Sequence, residues 1–498
     1  MTTAKHFVTY RDFGAKGDGK IDDFAAIIAA HAYANEHGLP VRATKGDIYY
    51  IGPRTASAII MTDTDWRGSS FIIDDSNVTI ADRYIHTFHV RRDNTTGIDL
   101  LSKGVTTLKE GQTILPYAPG TDCYVNVLDT EKYNYIREGL NQNNGQPQTD
   151  CFLLHADGSV DPTTPIIWNF DHITEMIAYP IEIETLTITG GTFTTIANQA
   201  ESKYNYYTTG IMVTRSNVII DGLTHYIEGE LDHGAPYDGM IQVYSCANVT
   251  VKNCLLTAHY IYVTIGAAKK PVSMGTYDIR CQHAVNVSFH NCSQTTDIMD
   301  RRYWGLFTSN YCKNLTLDNC KFSRFDAHMG VTNATIRNCT LGHQCLNIIG
   351  HGTLTVENST LFGQGFINLR KDYGSTWKGD IFVRNCIWHP AFNQDDCPCF
   401  IQGSYNGSHD FGFDCYMPQH ITIDGLTIQD ESQADNKDYQ GIYLLDNITP
   451  ENKDESFAYT YPYHITKTIS IKNFSSSTGK QWILSENPFM YRDTVVNK

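Results

Sequence analysis

The sequence predicts an all-β fold, one long parallel β-solenoid that begins with a capping helix. A short phrase of alternating apolar and polar residues, ending in Asn or Gly, recurs about every 19 to 40 residues. Each phrase has the period-two pattern of a half-buried strand. A run of helix-forming residues near the N-terminus ends at a glycine. Because one strand and one turn cannot bury an apolar face alone, stacked repeats are the stable arrangement.

The phrases define the coils of this solenoid, and each ends where the chain must turn sharply. Asn and Gly suit such positions because they tolerate a left-handed backbone. Equivalent residues of stacked coils lie about 4.8 Å apart. The phrases begin at Leu186, Val218, Val249, Val287, Leu315, Ala334, Leu354, Ile381, Ile421 and Ile469.

Two columns of side chains are expected beside these turns. The first is an asparagine ladder of Asn253, Asn291, Asn319, Asn338, Asn358 and Asn385. The second is a stack of thiols from Cys254, Cys292, Cys320, Cys339 and Cys386. Small buried thiols are a packing device, so the 14 cysteines do not require disulfides.

The N-terminus is expected to close the open edge of the first coil. Asp22 and Asp23 are candidates for the helix N-cap, and the helical run from Phe24 to His37 is stopped by Gly38. A solenoid needs such a cap to protect its first strand. We divide the chain into a cap and first coil (1–52), early coils with irregular insertions (53–185), and regular coils with a C-terminal cap (186–498), all one continuous domain.

Composition limits the partners. The chain has 498 residues, a formal charge of −16, 18% charged residues and 12% aromatic residues. Acidic balance argues against nucleic acid, since phosphate binding needs clustered Lys and Arg, and no apolar run is long enough to span a membrane. Many aromatic rings and few charges favour a hydroxyl-rich, weakly charged glycan as the partner.

The first residues show no apolar signal segment. We therefore expect a protein that is either cytoplasmic, or secreted or periplasmic after a signal has been removed.

The phrase from Tyr10 to Asp23, with Gly38 and Gly46 after it, resembles the start of pectate-lyase-like right-handed parallel β-helix proteins. That superfamily includes polygalacturonases, rhamnogalacturonases and many phage tail proteins. The resemblance implies a single-stranded right-handed parallel β-helix with an N-terminal capping helix. It implies no single function, since the superfamily contains hydrolases, lyases, isomerases and adhesins.

Candidate catalytic residues lie on the shortest coils. Alternation points Asp326 and His328 outward on one coil, and Asn368, Arg370 and Asp372 outward two coils later. The two carboxyls are then roughly 9 to 10 Å apart, compatible with the separation of about 6.5 to 9.5 Å in inverting glycosidases. We predict that Asp326 and Asp372 act as acid and base while His328 and Arg370 tune them or hold a substrate oxygen. The alternative is an Asp–Arg ladder on a solvated sheet.

Side chains that stack on sugar rings or bond hydroxyls surround this patch in the sequence. The string from Gly350 to Gly352 resembles a polygalacturonase motif, as does Arg370 with Lys371, although the Asn-Thr-Asp signature of that family is missing. Trp377 and Trp388 are further aromatic candidates. The predicted substrate-binding residues are Asp300, Arg302, Trp304, Asn347, His351, Asn368, Lys371, Tyr373, Gln402, Tyr405 and Tyr260.

Three functions follow, and the first is preferred. The protein is a glycoside hydrolase, a polysaccharide lyase that uses Arg, Lys or His, or a non-catalytic tailspike-like adhesin. The sequence predicts no cofactor, and it predicts no metal because it lacks a dense Asp/Glu cluster with calcium-site spacing. It leaves open whether the protein is a monomer or a trimer.

Overall fold

The computed structural model describes residues 6–392, 398–403, 410–446, 463–485 and 493–497. Its main feature is a 30-stranded sheet whose strands pair in parallel from one coil to the next. The sheet winds into a β-helix with three faces, here called sheets A, B and C in the order in which each coil passes through them.

Sheet A contains the repeated phrases. Their first residues pair in one continuous register from Leu186 to Ile469, as the sequence predicts. Its separate strands are Val8–Thr9, Val41–Arg42, Thr64–Asp65, Leu186–Thr189, Val218–Asp221, Ala247–Lys252, Val285–His290 and Val495–Asn497.

Sheets B and C complete each coil. The separate strands of sheet B are Asp18–Asp22, Ile48–Ile51, Ser70–Asp74, Thr192–Ile196, Thr224–Glu228, Leu255–Leu256, Ser293–Gln294 and Thr360–Gly363. Those of sheet C are Ala58–Ile60, Phe88–Val90, Ile211–Val213, Asp238–Tyr244, Tyr277–Gln282, Gly365–Asn368, Cys399–Gln402 and Tyr443–Leu445. Six longer strands of the described residues run around one or two corners: Phe307–Asp318, Lys321–Arg337, Thr340–Glu357, Trp377–Pro390, His420–Ile428 and Thr468–Ser476.

The alternation of the phrases decides which side chains enter the core. In Ala247–Lys252, for example, Val249 and Val251 are buried while Thr250 and Lys252 lie on the outer surface. The same inward columns continue through every coil and form one core cluster along the β-helix.

The N-terminal helix, Phe24–His37, covers the first coil and ends at Gly38 with a left-handed φ of 62°, as predicted. Asp22 accepts a hydrogen bond from the Phe24 N–H at 2.9 Å. Asp23 occupies the N-cap position, but its carboxylate accepts from the backbone N–H groups of Lys16 and Gly17 instead. The second aspartate therefore ties the preceding loop to the helix.

The asparagine ladder forms in two parts, one through Asn253, Asn291 and Asn319 and one between Asn358 and Asn385. Asn291 donates to Asn253 at 3.1 Å and Asn319 donates to Asn291 at 2.8 Å, each with a left-handed backbone. Asn338 instead donates to Asp318. A second ladder, which the phrases do not reveal, runs along the corner between sheets C and A through Asn217, Asn248, Asn286, Asn314 and Asn333.

The cysteine column is confirmed as a packing feature. Cys254, Cys292, Cys320, Cys339 and Cys386 are all buried with free thiols. Several of these thiols donate to backbone carbonyl groups of neighbouring residues, for example Cys292 to His290. The column therefore fills space beside the asparagine ladder without a covalent bond.

An insertion between Val90 and Leu186 forms a separate antiparallel sheet. Its strands are Ile98–Asp99, Cys123–Asn134, Gln146–Leu154 and Glu175–Pro180, and they enclose their own apolar cluster. A hairpin, Tyr262–Ile265 with Pro271–Met274, and the pair Cys415–Tyr416 with Tyr463–His464 lie outside the main sheet.

Helical structure is limited in the described residues. Besides Phe24–His37 there are 3-10 helices at Tyr10–Phe13, Gly139–Asn141, Lys371–Tyr373 and Glu431–Gln433. Within the described ranges, no helix combines the length and apolar character needed to cross a bilayer.

Substitutions at Asn291 test whether the left-handed turns limit the stability of the β-helix. We expect Asn291→Ala to lower the free energy of unfolding by about 1–2 kcal/mol. Alanine is strained in the left-handed backbone at φ 53°, and both ladder bonds of Asn291 are lost. Asn291→Gly loses the same bonds but keeps the backbone freedom, so it should cost less. Urea unfolding of both variants measures this, and equal losses would show that the backbone conformation is not the constraint.

Candidate functional site

A column of polar side chains runs along the outer face of sheet C. The strand register aligns Gln242, Arg280, Thr308, Asp326, Asn347, Asn368 and Gln402, one from each successive coil. The residue before each of them faces the core and is fully buried: Ile241, Ile279, Phe307, Phe325, Leu346, Ile367 and Ile401. This confirms that Asp326, Asn347 and Asn368 share one outer face.

Asp326 is nevertheless buried, with only 1% of its surface exposed. Its carboxylate pairs with Arg324 at 2.7 Å and Arg370 at 3.2 Å, and it accepts a hydrogen bond from the Tyr277 hydroxyl at 2.8 Å. Burial acts to raise the pKa of this carboxyl, but Arg324, His328 and Arg370 together hold it well below its usual range. Asp326 is therefore ionised at neutral pH, and the expectation of a solvent-exposed carboxyl is wrong.

Asp372 is held between two arginines. Arg370 donates to both of its oxygens, at 2.9 and 2.8 Å, and Arg137 of the insertion donates at 2.9 Å. Burial acts to raise the pKa of Asp372, but these two guanidinium groups lower it to about 2. Arg370 thus bridges Asp326 and Asp372, whereas the sequence predicts a gap for a water molecule between them.

The difference has a local cause. The strand Gly365–Asn368 ends before Arg370, and the chain turns into the 3-10 helix Lys371–Tyr373, which Gly374 stops with a left-handed φ of 96°. Strand alternation therefore does not apply to Arg370 and Asp372, and the turn brings both back over Asp326. The predicted grouping of these residues is correct, but the extended strand behind that prediction is wrong.

His328 lies beside the Asp326 carboxylate at the edge of this cluster. Its Nδ1 is 3.4 Å from Oδ2 of Asp326, and 19% of its side chain is exposed. Burial lowers the pKa of His328 below its ordinary value of 6.5, although the Asp326 carboxylate acts in the opposite direction. The imidazole is therefore uncharged at neutral pH and has a carboxylate behind it.

Tyr373 closes the cluster on the side of the insertion. Its ring lies 5.7 Å from the His328 ring, with the guanidinium groups of Arg137 and Arg370 over its face at 4.9 and 5.6 Å. Burial raises the pKa of its hydroxyl, so Tyr373 is protonated at neutral pH. These side chains are called the arginine cluster below: Asp326, His328, Arg370, Asp372, Tyr373, Arg137, Arg324 and Tyr277.

The arginine cluster includes residues that the sequence does not reveal. Arg137 comes from the insertion, about 235 positions away from its partner Asp372. Tyr277 comes from a strand two coils before Asp326. Of these three residues, Arg324 is the one that the sequence could have indicated. It lies two residues before Asp326 on the same strand and therefore on the same face.

The insertion is a fixed wall of the site. Lys313 of the corner between sheets C and A pairs with Asp150 of the insertion at 2.8 Å, and both side chains are 1% exposed. Burial raises the pKa of Asp150 even though Lys313 lowers it. Near this pair, the Glu138 N–H donates to the Asp372 carbonyl at 3.0 Å, which fixes Arg137 against the arginine cluster.

Beside Asp326 the polar column opens into a pocket of about 230 Å³, called the amide pocket. Asn347, Asn368 and Gln402 line it together with Arg301 and His343. Asn368 donates to the Asn347 amide oxygen at 2.8 Å, so the amides form a ladder at its base. Three of the predicted substrate-binding residues therefore share one pocket.

Three more predicted residues form a second group, on the loops between sheets B and C. Arg302 pairs with Asp300 at 2.6 Å, and its hydrogen bonds lower the pKa of Asp300. The ring of Tyr260 lies 5.2 Å from that of Tyr303. A pocket of about 440 Å³, called the tyrosine pocket, is lined by Tyr260, Arg301, Arg302, Leu231, Asp232, Ile261, Tyr262 and Ser273.

The remaining predicted residues lie elsewhere. Trp304 packs under the Arg324 guanidinium, 4.8 Å from its ring, so it supports Arg324. His351 lies against Trp168 of the insertion, and its pKa falls to about 3 through burial, so it does not join the arginine cluster. Lys371 is exposed on the 3-10 helix. Tyr405 lies outside the described residues.

Two aromatic candidates are wrong. Trp377 and Trp388 are fully buried in the core of the β-helix and cannot contact a sugar. Among the described residues, no three His, Cys, Asp or Glu side chains come close enough to hold a metal ion.

Comparison with known proteins supports the fold. No family model and no curated protein matches the chain. Among solved structures it is similar to the Gp54 tailspike of Acinetobacter baumannii bacteriophage AP22, solved in complex with A. baumannii capsular saccharide. The identity is 10%, over 96% of this chain and 73% of the tailspike, with a TM-score of 0.56. The chain has the pectate-lyase-like right-handed parallel β-helix fold.

Two other similar structures have lower TM-scores. The Streptococcus pneumoniae surface adhesin PfbA is 11% identical, with 96% of this chain and 94% of the adhesin covered and a TM-score of 0.46. The A-module of the Azotobacter vinelandii mannuronan C-5 epimerase AlgE4 is 12% identical, with 98% and 100% covered and a TM-score of 0.42.

The buried pair that docks the insertion provides a stability test. Lys313→Met leaves the Asp150 carboxylate buried without a partner, so we expect it to lower the free energy of unfolding by about 3–5 kcal/mol. Adding Asp150→Leu removes the unpaired charge and should restore most of this loss. Urea unfolding followed by tryptophan fluorescence measures both variants.

The control is Lys378→Met, which breaks the partly exposed ion pair between Lys378 and Glu110 of the insertion. It should cost less than about 1 kcal/mol. An equally small loss for Lys313→Met would mean that the buried pair does not hold the insertion.

Proposed function

We propose that the protein binds a glycan along the outer face of sheet C and cleaves it, with His328 as the group that moves a proton. The observation that carries this proposal is the contrast within the arginine cluster. Asp326 and Asp372 are ionised and tied to arginines, whereas His328 is uncharged and partly exposed. A general base needs to be unprotonated at working pH, reachable by substrate and free to accept a proton. Asp326 is buried and both oxygens of Asp372 accept from guanidinium groups that lower its pKa to about 2, whereas His328 is unprotonated, partly exposed and not paired with an arginine.

The glycan class has separate support. The outer column offers amide, carboxylate and guanidinium groups at the spacing of successive coils, which suits a long polar ligand laid along the axis. The tailspike that shares the fold was solved with a capsular saccharide. This likeness supports a glycan ligand and says nothing of the reaction.

The cluster favours elimination over the hydrolysis expected from the sequence. Hydrolysis by an acid–base pair needs one protonated carboxyl, but the arginines keep the pKa of both Asp326 and Asp372 low. Elimination needs an unprotonated base and positive charge near a sugar carboxylate. His328 is such a base, and Arg137, Arg324 and Arg370 together outnumber the carboxylates Asp326 and Asp372 with which they pair, which leaves a net positive charge beside it.

The proposed step is a β-elimination on a uronic acid unit. His328 takes the proton from the carbon next to the carboxylate, and that electron pair forms a carbon–carbon double bond. The bond from the adjacent carbon to the glycosidic oxygen breaks, and the leaving oxygen gains a proton. Tyr373, protonated and next to His328, is a candidate donor. No water is consumed, so the product is unsaturated.

Asp326 is a positioning residue in this scheme. Oδ2 of Asp326 lies 3.4 Å from Nδ1 of His328, without a hydrogen bond between them, and its charge favours a proton on that nitrogen, which leaves Nε2 as the base. Catalytic triads use a buried carboxylate in the same way, to orient a catalytic imidazole. The arginines around Asp326 keep it ionised in this role.

His328→Ala is the first test. We expect the rate of cleavage to fall about 100- to 10,000-fold, the usual contribution of a proton-transferring group. The assay follows ultraviolet absorbance and product mass on polygalacturonate, alginate, hyaluronan and bacterial capsular polysaccharides. The control is His290→Ala, which removes a histidine 3.5 Å from Asp318, distant from sheet C, and should leave the rate unchanged.

The mass of the products separates the alternatives. Products heavier by one water per cut would identify a hydrolase and reject the elimination. Binding without products would identify a glycan-binding adhesin. Full activity of His328→Ala would reject the assignment of the base.

A pH profile tests the role of Asp326. Because the folded pKa of His328 is lowered, the base stays unprotonated at pH values where an ordinary histidine, with a pKa of 6.5, would be charged. The acid limb of kcat/KM should therefore lie below pH 6.5. Asp326→Asn removes a charge that raises the pKa of His328, so it should move this limb to still lower pH. A lower rate with an unmoved limb would mean that Asp326 is only structural.

A further inference from the structure

The amide pocket and the tyrosine pocket meet at one side chain. Arg301 lines both of them, with Asn347, Asn368 and Gln402 on one side and Tyr260 and Leu231 on the other. The two pockets therefore adjoin at Arg301, one over the polar column of sheet C and the other on the loops between sheets B and C.

Arg301 differs from its neighbours in its charge balance. Arg302 is neutralised by Asp300, and Arg370 by Asp326 and Asp372. Arg301 is exposed and has no carboxylate partner within 4.0 Å among the described residues. Burial lowers the pKa of His343, a second residue of the amide pocket, and the charge of Arg301 acts in the same direction. The two pockets therefore share a guanidinium whose charge no carboxylate of the described residues pairs with.

The residues around Arg301 indicate which other chemical groups the ligand contains. The amides of Asn368 and Gln402 provide hydrogen-bonding atoms that suit hydroxyl or amide substituents, while Asn347 is 4% exposed and already bonded to Asn368 and Gln344. On the other side the ring of Tyr260 provides a face for stacking on a sugar ring. A planar guanidinium between them binds carboxylate or another oxyanion through two parallel hydrogen bonds.

We propose that Arg301 is a specificity-determining residue that binds an anionic substituent of the glycan, outside the site of cleavage. The ligand is then a glycan that carries acidic groups on more than one unit. This inference rests on the proposed function for the existence of a glycan ligand, but it does not depend on the reaction. It also reverses the expectation from composition, because a chain of charge −16 presents, between its two pockets, a cation that has no ion-pair partner in the described part of the chain.

The test uses polygalacturonate, alginate, hyaluronan and bacterial capsular polysaccharides, each in its native form and after reduction of its carboxyl groups. We expect the wild-type protein to bind an acidic polymer and to bind its reduced form more weakly. Arg301→Gln should weaken binding of the acidic polymer about tenfold, the usual loss of one charged hydrogen-bond partner, and should leave binding of the reduced polymer unchanged. Where cleavage occurs, KM should rise while kcat stays constant.

Arg67→Gln is the matched control, since it removes an exposed guanidinium that Asp65 neutralises in the same way and that lines neither pocket. It should change affinity less than twofold. Wild-type affinity in Arg301→Gln, or equal binding of native and reduced polymers, would overturn the proposal. Arg301-dependent binding without cleavage would reject the elimination and retain the specificity role. No binding to any polymer would reject both.

Discussion

Every feature of this protein depends on the parallel stacking of coils in register. Backbone hydrogen bonds between coils fix the spacing at about 4.8 Å, and they require each coil to repeat the inward and outward alternation of the one below it. Side chains at equivalent positions therefore form columns along the axis. Inward columns become the core, and columns at the corners become ladders of Asn or Cys. An outward column on sheet C becomes the floor of the site.

The site arises where this regularity is interrupted. Sheet C places Asp326, Asn347, Asn368 and Gln402 in a row, but a row alone is only a polar face. The turn at Lys371–Tyr373 folds Arg370 back over Asp326, and the insertion brings Arg137 to the same point. These two departures from the coil convert a ladder into a buried network of charges with one neutral histidine at its edge.

Burial and charge then decide the chemistry. Placing Asp326 away from water disfavours its ionised form, and the structure compensates with two arginines and a tyrosine hydroxyl. The result is a carboxylate that stays charged and orients a neighbour, which differs from the acid or base that the residue type suggests. The pKa of His328, lowered by burial and raised in part by Asp326, places the proton-transferring role on the imidazole. The chemical role of each side chain is therefore set by its environment as well as by its residue type.

The sequence by itself determined the β-helix, the capping helix, the phrase register and the columns at Asn291 and Cys292, because each follows from a local repeat and from the period of a strand. It also determined that Asp326, His328, Arg370 and Asp372 lie together, since they occupy neighbouring short coils. It could not determine that Asp326 is buried or that Arg137 contacts Asp372. It also could not determine that His351, Trp377 and Trp388 lie away from the outer face of sheet C. Those depend on a distant insertion, on a turn that ends a strand, and on which side of the sheet the core lies. Only the tertiary structure decided them, because they are set by contacts between residues far apart in the chain.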